Sequence, residues 1–150
     1  MLDPGQTFSR SYPACVESVP RARQDVTEFA RAAGAEDERL HQVRLAASEA
    51  LTNAVLHAYE EPGGTINVSA AHVSGELWVI VTDHGAGLRV RRQSRGLGLG
   101  LALIAQLVDD FQILSRGSGG TELRMEFRLD RPAPCPHPRR GSVSAAVAPA

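Results

Sequence analysis

The stretch Ser48-Glu49-Ala50-Leu51-Thr52-Asn53-Ala54-Val55-Leu56-His57-Ala58-Tyr59 constrains the chain most, because it requires a helix with two unlike faces. At about 100° per residue, Glu49, Asn53 and His57 stand one turn apart and drift by only about 40° per step, so they form one polar ridge. Leu40, Val43, Ala47, Ala50, Leu51, Ala54 and Ala58 recur at three- and four-residue spacing and make an apolar stripe beside that ridge. The stripe must be covered by other elements of the chain. The ridge then presents a carboxylate and a carboxamide on a separate face, a pair that suits either a base beside a magnesium ligand or ordinary solvated positions. His57, near the carboxyl end of the helix, suits an imidazolium there on structural grounds alone.

With 150 residues, of which 43% are hydrophobic and 22% charged, the chain fits one domain around one core. Its net charge is -1, which offers no basic field for nucleic acid or an anionic membrane surface. All 16 basic residues are Arg, which removes a P-loop lysine and Schiff-base chemistry together. Cys15 and Cys135 are solitary, with no CxxC, and read as reduced thiols of a cytoplasmic protein. MLDPGQTFSR is too polar for a signal peptide, and no run of about 18 apolar residues is present, so a soluble intracellular protein is expected.

Along the chain, residues 7–13 suit an edge strand ending at Pro13. A helix is expected from Ser18, with Pro20 in its first turn, Val26, Phe29 and Ala30 or Ala33 on its inner side, and Gly34 as its stop. A second helix starts at Glu36 or Asp37 and runs through the opening stretch. Thr65–Val73 alternates, Gly75 marks a turn, and Leu77–Val81 is the most strand-like run, so a hairpin is expected. Asp83 falls on the turn just after that strand, with Gly85 and Gly87 following. Four arginines lie in 89–95, and then Gly96, Gly98 and Gly100 precede an apolar helix over Leu101–Val108. Two closing strands, Phe111–Ser115 and Glu122–Leu129, flank a Gly-rich turn. The segment 131–150 holds five prolines and reads as a disordered tail to a domain spanning 7–130.

Three features point to a purine nucleotide with a metal. An ionised Asp83 only accepts hydrogen bonds and matches the adenine N6 amino donor. The glycines near it let backbone approach a base, and those at 96–100 bring a helix amino end to phosphates. Asn53 can offer an oxygen to Mg2+, and Glu49 one turn away can accept a proton from an attacking hydroxyl. The glycine run is GxGxG without a strand leading into it, so it is not a dinucleotide fingerprint.

Glu49-Ala50-Leu51-Thr52-Asn53 with His57-Ala58-Tyr59, then Asp83-x-Gly85-x-Gly87, Gly98-Leu99-Gly100-Leu101 and Gly120-Thr121, form an ordered set of boxes. This set resembles the GHKL ATP-binding domain of gyrase, histidine kinases and MutL, and within it the bacterial anti-sigma factors that are serine-protein kinases. The resemblance implies an α+β fold, a two-layer sandwich of Bergerat type whose mixed, mostly antiparallel sheet is covered on one face by helices. It implies ATP and Mg2+ as cofactors, with Asn53 on the metal, Asp83 on adenine, and Gly85, Gly87, Gly98, Leu99, Gly100 and Thr121 around the nucleotide. Glu49 would be the base for a serine hydroxyl. Implied partners are a sigma factor and an anti-anti-sigma protein of the STAS type, with a homodimer as the assembly common in the group. One departure is the short interval between the second box and the glycine run. There Arg91, Arg92 and Arg95 either replace the contacts of a phosphate lid or are solvated, which leaves a nucleotide-dependent binding module without phosphotransfer as the alternative function.

Overall fold

The computed structural model describes residues 5–57, 63–85, 97–117 and 119–130. The described elements are β1 (Gln6–Pro13), α1 (Ser18–Ala32), α2 (Asp37–His57), β2 (Thr65–Val73), β3 (Glu76–Asp83), α3 (Leu97–Leu107), β4 (Asp110–Ser115) and β5 (Thr121–Arg128). They build one five-stranded sheet in the order β1-β2-β3-β5-β4, with every pairing antiparallel. The path from β3 through α3 returns β4 in the direction of β3, but one strand away, and β5 fills the gap between them. The parallel relation of β3 and β4 is therefore never a hydrogen-bonded one.

Local chemistry sets each boundary. Gly34 ends α1 at φ 102°, and the Gly34 N–H to Arg31 O and Ala35 N–H to Ala30 O bonds complete a Schellman motif. Asp37 and Glu38 place negative charge in the first turn of α2. Ser74 and Gly75, both with positive φ, form the two-residue turn of the β2–β3 hairpin. Pro13 closes β1 at the sheet edge, where a missing N–H costs no ladder bond.

The core lies between the sheet and the helices. Ile66, Val68, Leu77, Val79, Met125 and Phe127 from the strands meet Val26, Ala30, Val43, Ala47 and Leu51 from α1 and α2, all essentially without solvent exposure. The apolar stripe of α2 is thus buried from Val43 to Ala54, with Ala46 and Val55 buried beside it. Among the described residues, no helix is long and apolar enough to cross a membrane.

Candidate functional site

α2 turns Glu49 and Asn53 toward α3. Asn53 is buried at 8% exposure, and Glu49 is half-buried one turn before it. Their side chains converge on Gly100, where an added Cβ would lie 3.1 Å from Glu49 Oε2 and 3.2 Å from Asn53 Nδ2. That spacing is tighter than ordinary contact, so the absent side chain at Gly100 is what lets α3 approach the ridge. Gly98, Leu99 and Gly100 fall inside the first turn of α3 rather than before it, since the helix begins at Leu97. The glycines therefore belong to the helix amino end itself, where the first four N–H groups lack intrahelical partners.

At the other wall, β3 continues through Asp83, where a turn was expected. The ladder explains the difference, since Asp83 pairs with Ile66 on one side and Thr121 on the other. Asp83 is 3% exposed, and the Gly85 N–H donates to its Oδ1 at 3.1 Å. Thr121, directly across the ladder, is equally buried, and its Oγ1 has no hydrogen-bond partner among the described residues. Gly120 makes this junction possible. It holds φ +99°, and a Cβ there would fall 2.1 Å from Asp83 O.

These walls line a narrow cleft partly open to solvent, formed by Asn53, Ala50 and Ala54 from α2, Val81 and Asp83 from β3, Leu101, Ile113, and Thr121 and Leu123 from β5. Asn53, Asp83 and Thr121 are thus brought into one pocket, with Glu49 and Gly100 at its α2–α3 side. Gly85 is present through its bond to Asp83. Gly87, the arginines of 89–95, Gly96, Ala58, Tyr59 and the segment 131–150 lie outside the described residues.

The apolar lining was read from sequence only as core. Ala50 and Ala54, read from sequence as part of the apolar packing stripe, line the cleft beside Asn53. The contact of Arg116 Nη1 with His84 Nδ1, 3.2 Å long and just beyond Asp83, had no sequence signal.

Chemically, the closed end offers a carboxylate acceptor beside a hydroxyl in want of a partner, between apolar walls suited to a flat ring. Among the described residues no group of three His, Cys, Asp or Glu could hold a metal. Asn53 offers a carboxamide oxygen, a donor type that suits a hard cation such as Mg2+.

Comparison with known proteins agrees with this geometry. Residues 12–127 match the family described as the histidine kinase-like ATPase domain. The chain is 29% identical to the anti-sigma F factor of Clostridium acetobutylicum, over 75% of this chain and 87% of that one. It is 28% identical to the anti-sigma F factor of Caldanaerobacter subterraneus, over 73% of this chain and 85% of that one. A crystal structure of the RsbU and RsbW domains of Rv1364c from Mycobacterium tuberculosis superposes with a TM-score of 0.61 at 26% identity, covering 85% of this chain and 34% of that longer one. An antiparallel sheet layered with helices, a pocket between α2 and the β3–β5 ends, and a family match over most of the length lead to one assignment: the chain belongs to the histidine kinase-like ATPase domain family.

Proposed function

We propose that this protein is an ATP-binding anti-sigma factor that sequesters a sigma factor and phosphorylates a serine of an anti-anti-sigma partner of the STAS type, acting in the cytoplasm. The observation that carries the nucleotide reading is the buried Thr121 hydroxyl, which has no hydrogen-bond partner among the described residues and stands across the ladder from Asp83 in a pocket whose far side bears Asn53. A buried unsatisfied hydroxyl costs about 1–3 kcal/mol, a penalty a ligand removes. The names of the relatives, both anti-sigma F factors, support the choice of client.

In this reading Asp83 accepts the adenine amino hydrogen, and Thr121 binds the same edge of the base. Gly85 and Gly87 let the ring approach the backbone. The amino end of α3, with Gly98, Leu99 and Gly100, faces the phosphates. Asn53 holds Mg2+, which supplies charge neutralisation of the phosphate oxygens when bound. Glu49 takes the proton of the partner's serine as the serine oxygen forms its bond to the γ-phosphorus and the bridging β–γ oxygen departs with ADP. A second copy of the chain is the assembly the resemblance implies.

The test is incubation with radiolabelled ATP, Mg2+ and candidate anti-anti-sigma proteins. Serine-bound label on the partner is expected, and Glu49→Ala should reduce labelling by at least about 100-fold while retaining ATP. ATP binding without any labelled partner would leave a nucleotide-dependent binding module, and labelling undiminished in Glu49→Ala would exclude Glu49 as the base.

A further inference from the structure

An open polar groove runs between α1 and α2, on the side of α2 away from α3. The short connection 33–36 makes the two helices antiparallel, and Arg23 Nη1 reaches Ser48 Oγ at 3.4 Å across the gap. Arg23, Gln24, Thr27, Glu28 and Arg31 form the α1 wall of the groove, and Arg44 stands on the α2 wall. Arg44 lies one turn before Ser48, which sets it level with Thr27, midway between Arg23 and Arg31. Glu49 and Asn53 leave α2 toward α3, so the groove and the pocket that holds Asn53 lie on different sides of one helix.

Charge in this groove is unbalanced. Arg31 and Arg44 are exposed, and neither guanidinium forms an ion pair or a hydrogen bond among the described residues. Arg23 is half-buried and meets an uncharged partner in Ser48. Glu28 supplies the carboxylate of the lining, and Gln24 Nε2 already donates to its Oε1 at 3.1 Å. Three cations thus face a single anion. Arg23 and Arg31 stand two turns apart, about 12 Å along the axis, too far for one phosphate or one carboxylate to bridge. An acidic helix matches them, because its carboxylates at seven- and eight-residue spacing repeat at about the same two-turn interval. A long polyanion fits poorly, since Glu36, Asp37 and Glu38 follow at the Arg31 end, Glu17 precedes α1 at the other, and the chain has a net charge of -1.

We propose that the α1–α2 groove docks an acidic helical segment of a partner protein, whose carboxylates two turns apart meet Arg23 and Arg31 while a third, on its flank, meets Arg44. The proposal does not rest on the nucleotide reading. Because Glu49 and Asn53 face α3, a segment seated here leaves their pocket open, and the two sites fill independently. Exposed ion pairs are individually weak and screened by salt, so the set of three carries the affinity, which falls as ionic strength rises.

The experiment is fluorescence anisotropy of a labelled synthetic peptide, an alanine-rich helix of about 18 residues with glutamates at seven- and eight-residue spacing, titrated with the full chain at about 20 mM and about 200 mM salt. The comparison probes are the same peptide with glutamine for glutamate, an isomer with its glutamates spread around the helix, and a short DNA duplex. At low salt the spaced-glutamate peptide is expected to bind about tenfold more tightly than either peptide control. Arg44→Gln should weaken it about threefold, and Arg23→Gln with Arg31→Gln and Arg44→Gln about tenfold or more. Arg124→Gln removes the same charge as Arg44→Gln from the face of β5 turned away from the buried Leu123 and Met125, and should leave the affinity unchanged. Equal binding of the control peptides, an undiminished triple variant, an equal loss in Arg124→Gln, or no binding of the spaced peptide up to about 1 mM would overturn the proposal. So would a DNA duplex that binds more tightly than the peptide and is lost in the triple variant, which would assign the groove to nucleic acid. None of these results bears on the nucleotide pocket, which binding of a fluorescent ATP analogue reads separately in the same proteins.

Discussion

Tyr12 and Thr121 are both buried hydroxyl residues, at 4% and 3% exposure, and they differ in what they touch. The Tyr12 hydroxyl donates to Asp25 Oδ2 at 2.6 Å, an oxygen that also accepts from Arg10 Nη1 at 2.8 Å. That network is complete and holds β1 to α1. Thr121 Oγ1 has no hydrogen-bond partner among the described residues, and its hydroxyl lines the pocket. The contrast separates a hydroxyl satisfied within the fold from one for which a ligand is proposed. Burial first, and then the hydrogen bond to Asp25, raise the Tyr12 phenol above its ordinary value of 10.0. Because the folded value exceeds the unfolded one, the linked stability is full below about pH 10 and is lost as pH rises beyond it. Urea midpoints should therefore fall between about pH 9 and pH 11 in the wild type and fall less in Tyr12→Phe. Equal slopes would show that the phenol is not linked to folding.

At the scale of elements, the decisive junction is α2 against α3, where Gly100 meets Glu49 and Asn53. Ala is favoured over Gly within a helix by about 0.8–1.0 kcal/mol, which offsets the close contact its Cβ makes with the side-chain ends of Glu49 and Asn53, so Gly100→Ala should change the melting temperature little. Its Cβ displaces the ends of Glu49 and Asn53, so Mg-ATP affinity should fall by roughly tenfold or less while stability holds. Loss of both together would make Gly100 a folding residue and not a site residue. Much of this layer is legible in the sequence. Gly34 marks the end of α1, the alternation of Thr65–Val73 marks β2, and the stripe from Val43 to Ala54 marks the buried face of α2. What local pattern misreads is where neighbours extend an element. Asp83 carries no strand propensity, yet Ile66 and Thr121 pair with it, and Gly98 and Gly100 are poor helix formers taken into α3. Tertiary pairing outweighs propensity at both places, and both border the pocket.

For the whole molecule, three segments distant in sequence are tied by Arg39 at the start of α2. This guanidinium is 5% exposed and donates to Asp109 Oδ2 at 2.7 Å and to Arg128 O at 2.8 and 3.1 Å. Asp109 Oδ2 also accepts the Arg128 N–H at 2.7 Å. The lock joins α2, the α3–β4 connection and the end of β5, on the side of the molecule away from the Asp83–Thr121 junction. Its partners lie 70 and 89 residues from Arg39 in sequence, so no local pattern announces it. Arg39→Met leaves Asp109 without its cation and should destabilise the fold by about 3 kcal/mol in urea unfolding. Arg39→Met with Asp109→Leu should recover part of that, since both charges leave together; no recovery would show that the carbonyl bonds, not the ion pair, carry the lock.

The central claim is that the pocket takes a purine by its amino edge, with Asp83 as acceptor. Calorimetric titration of Mg-ATP and Mg-GTP against the wild type and Asp83→Asn tests it most directly. Guanine presents an oxygen where adenine presents an amino group, so the wild type should bind ATP at least about tenfold more tightly than GTP. In Asp83→Asn the Gly85 N–H retains the remaining oxygen, which turns the amide NH2 toward the base, weakens ATP by roughly tenfold and narrows or reverses the preference. Equal affinity of the wild type for the two nucleotides, or undiminished ATP binding by Asp83→Asn, would contradict the account.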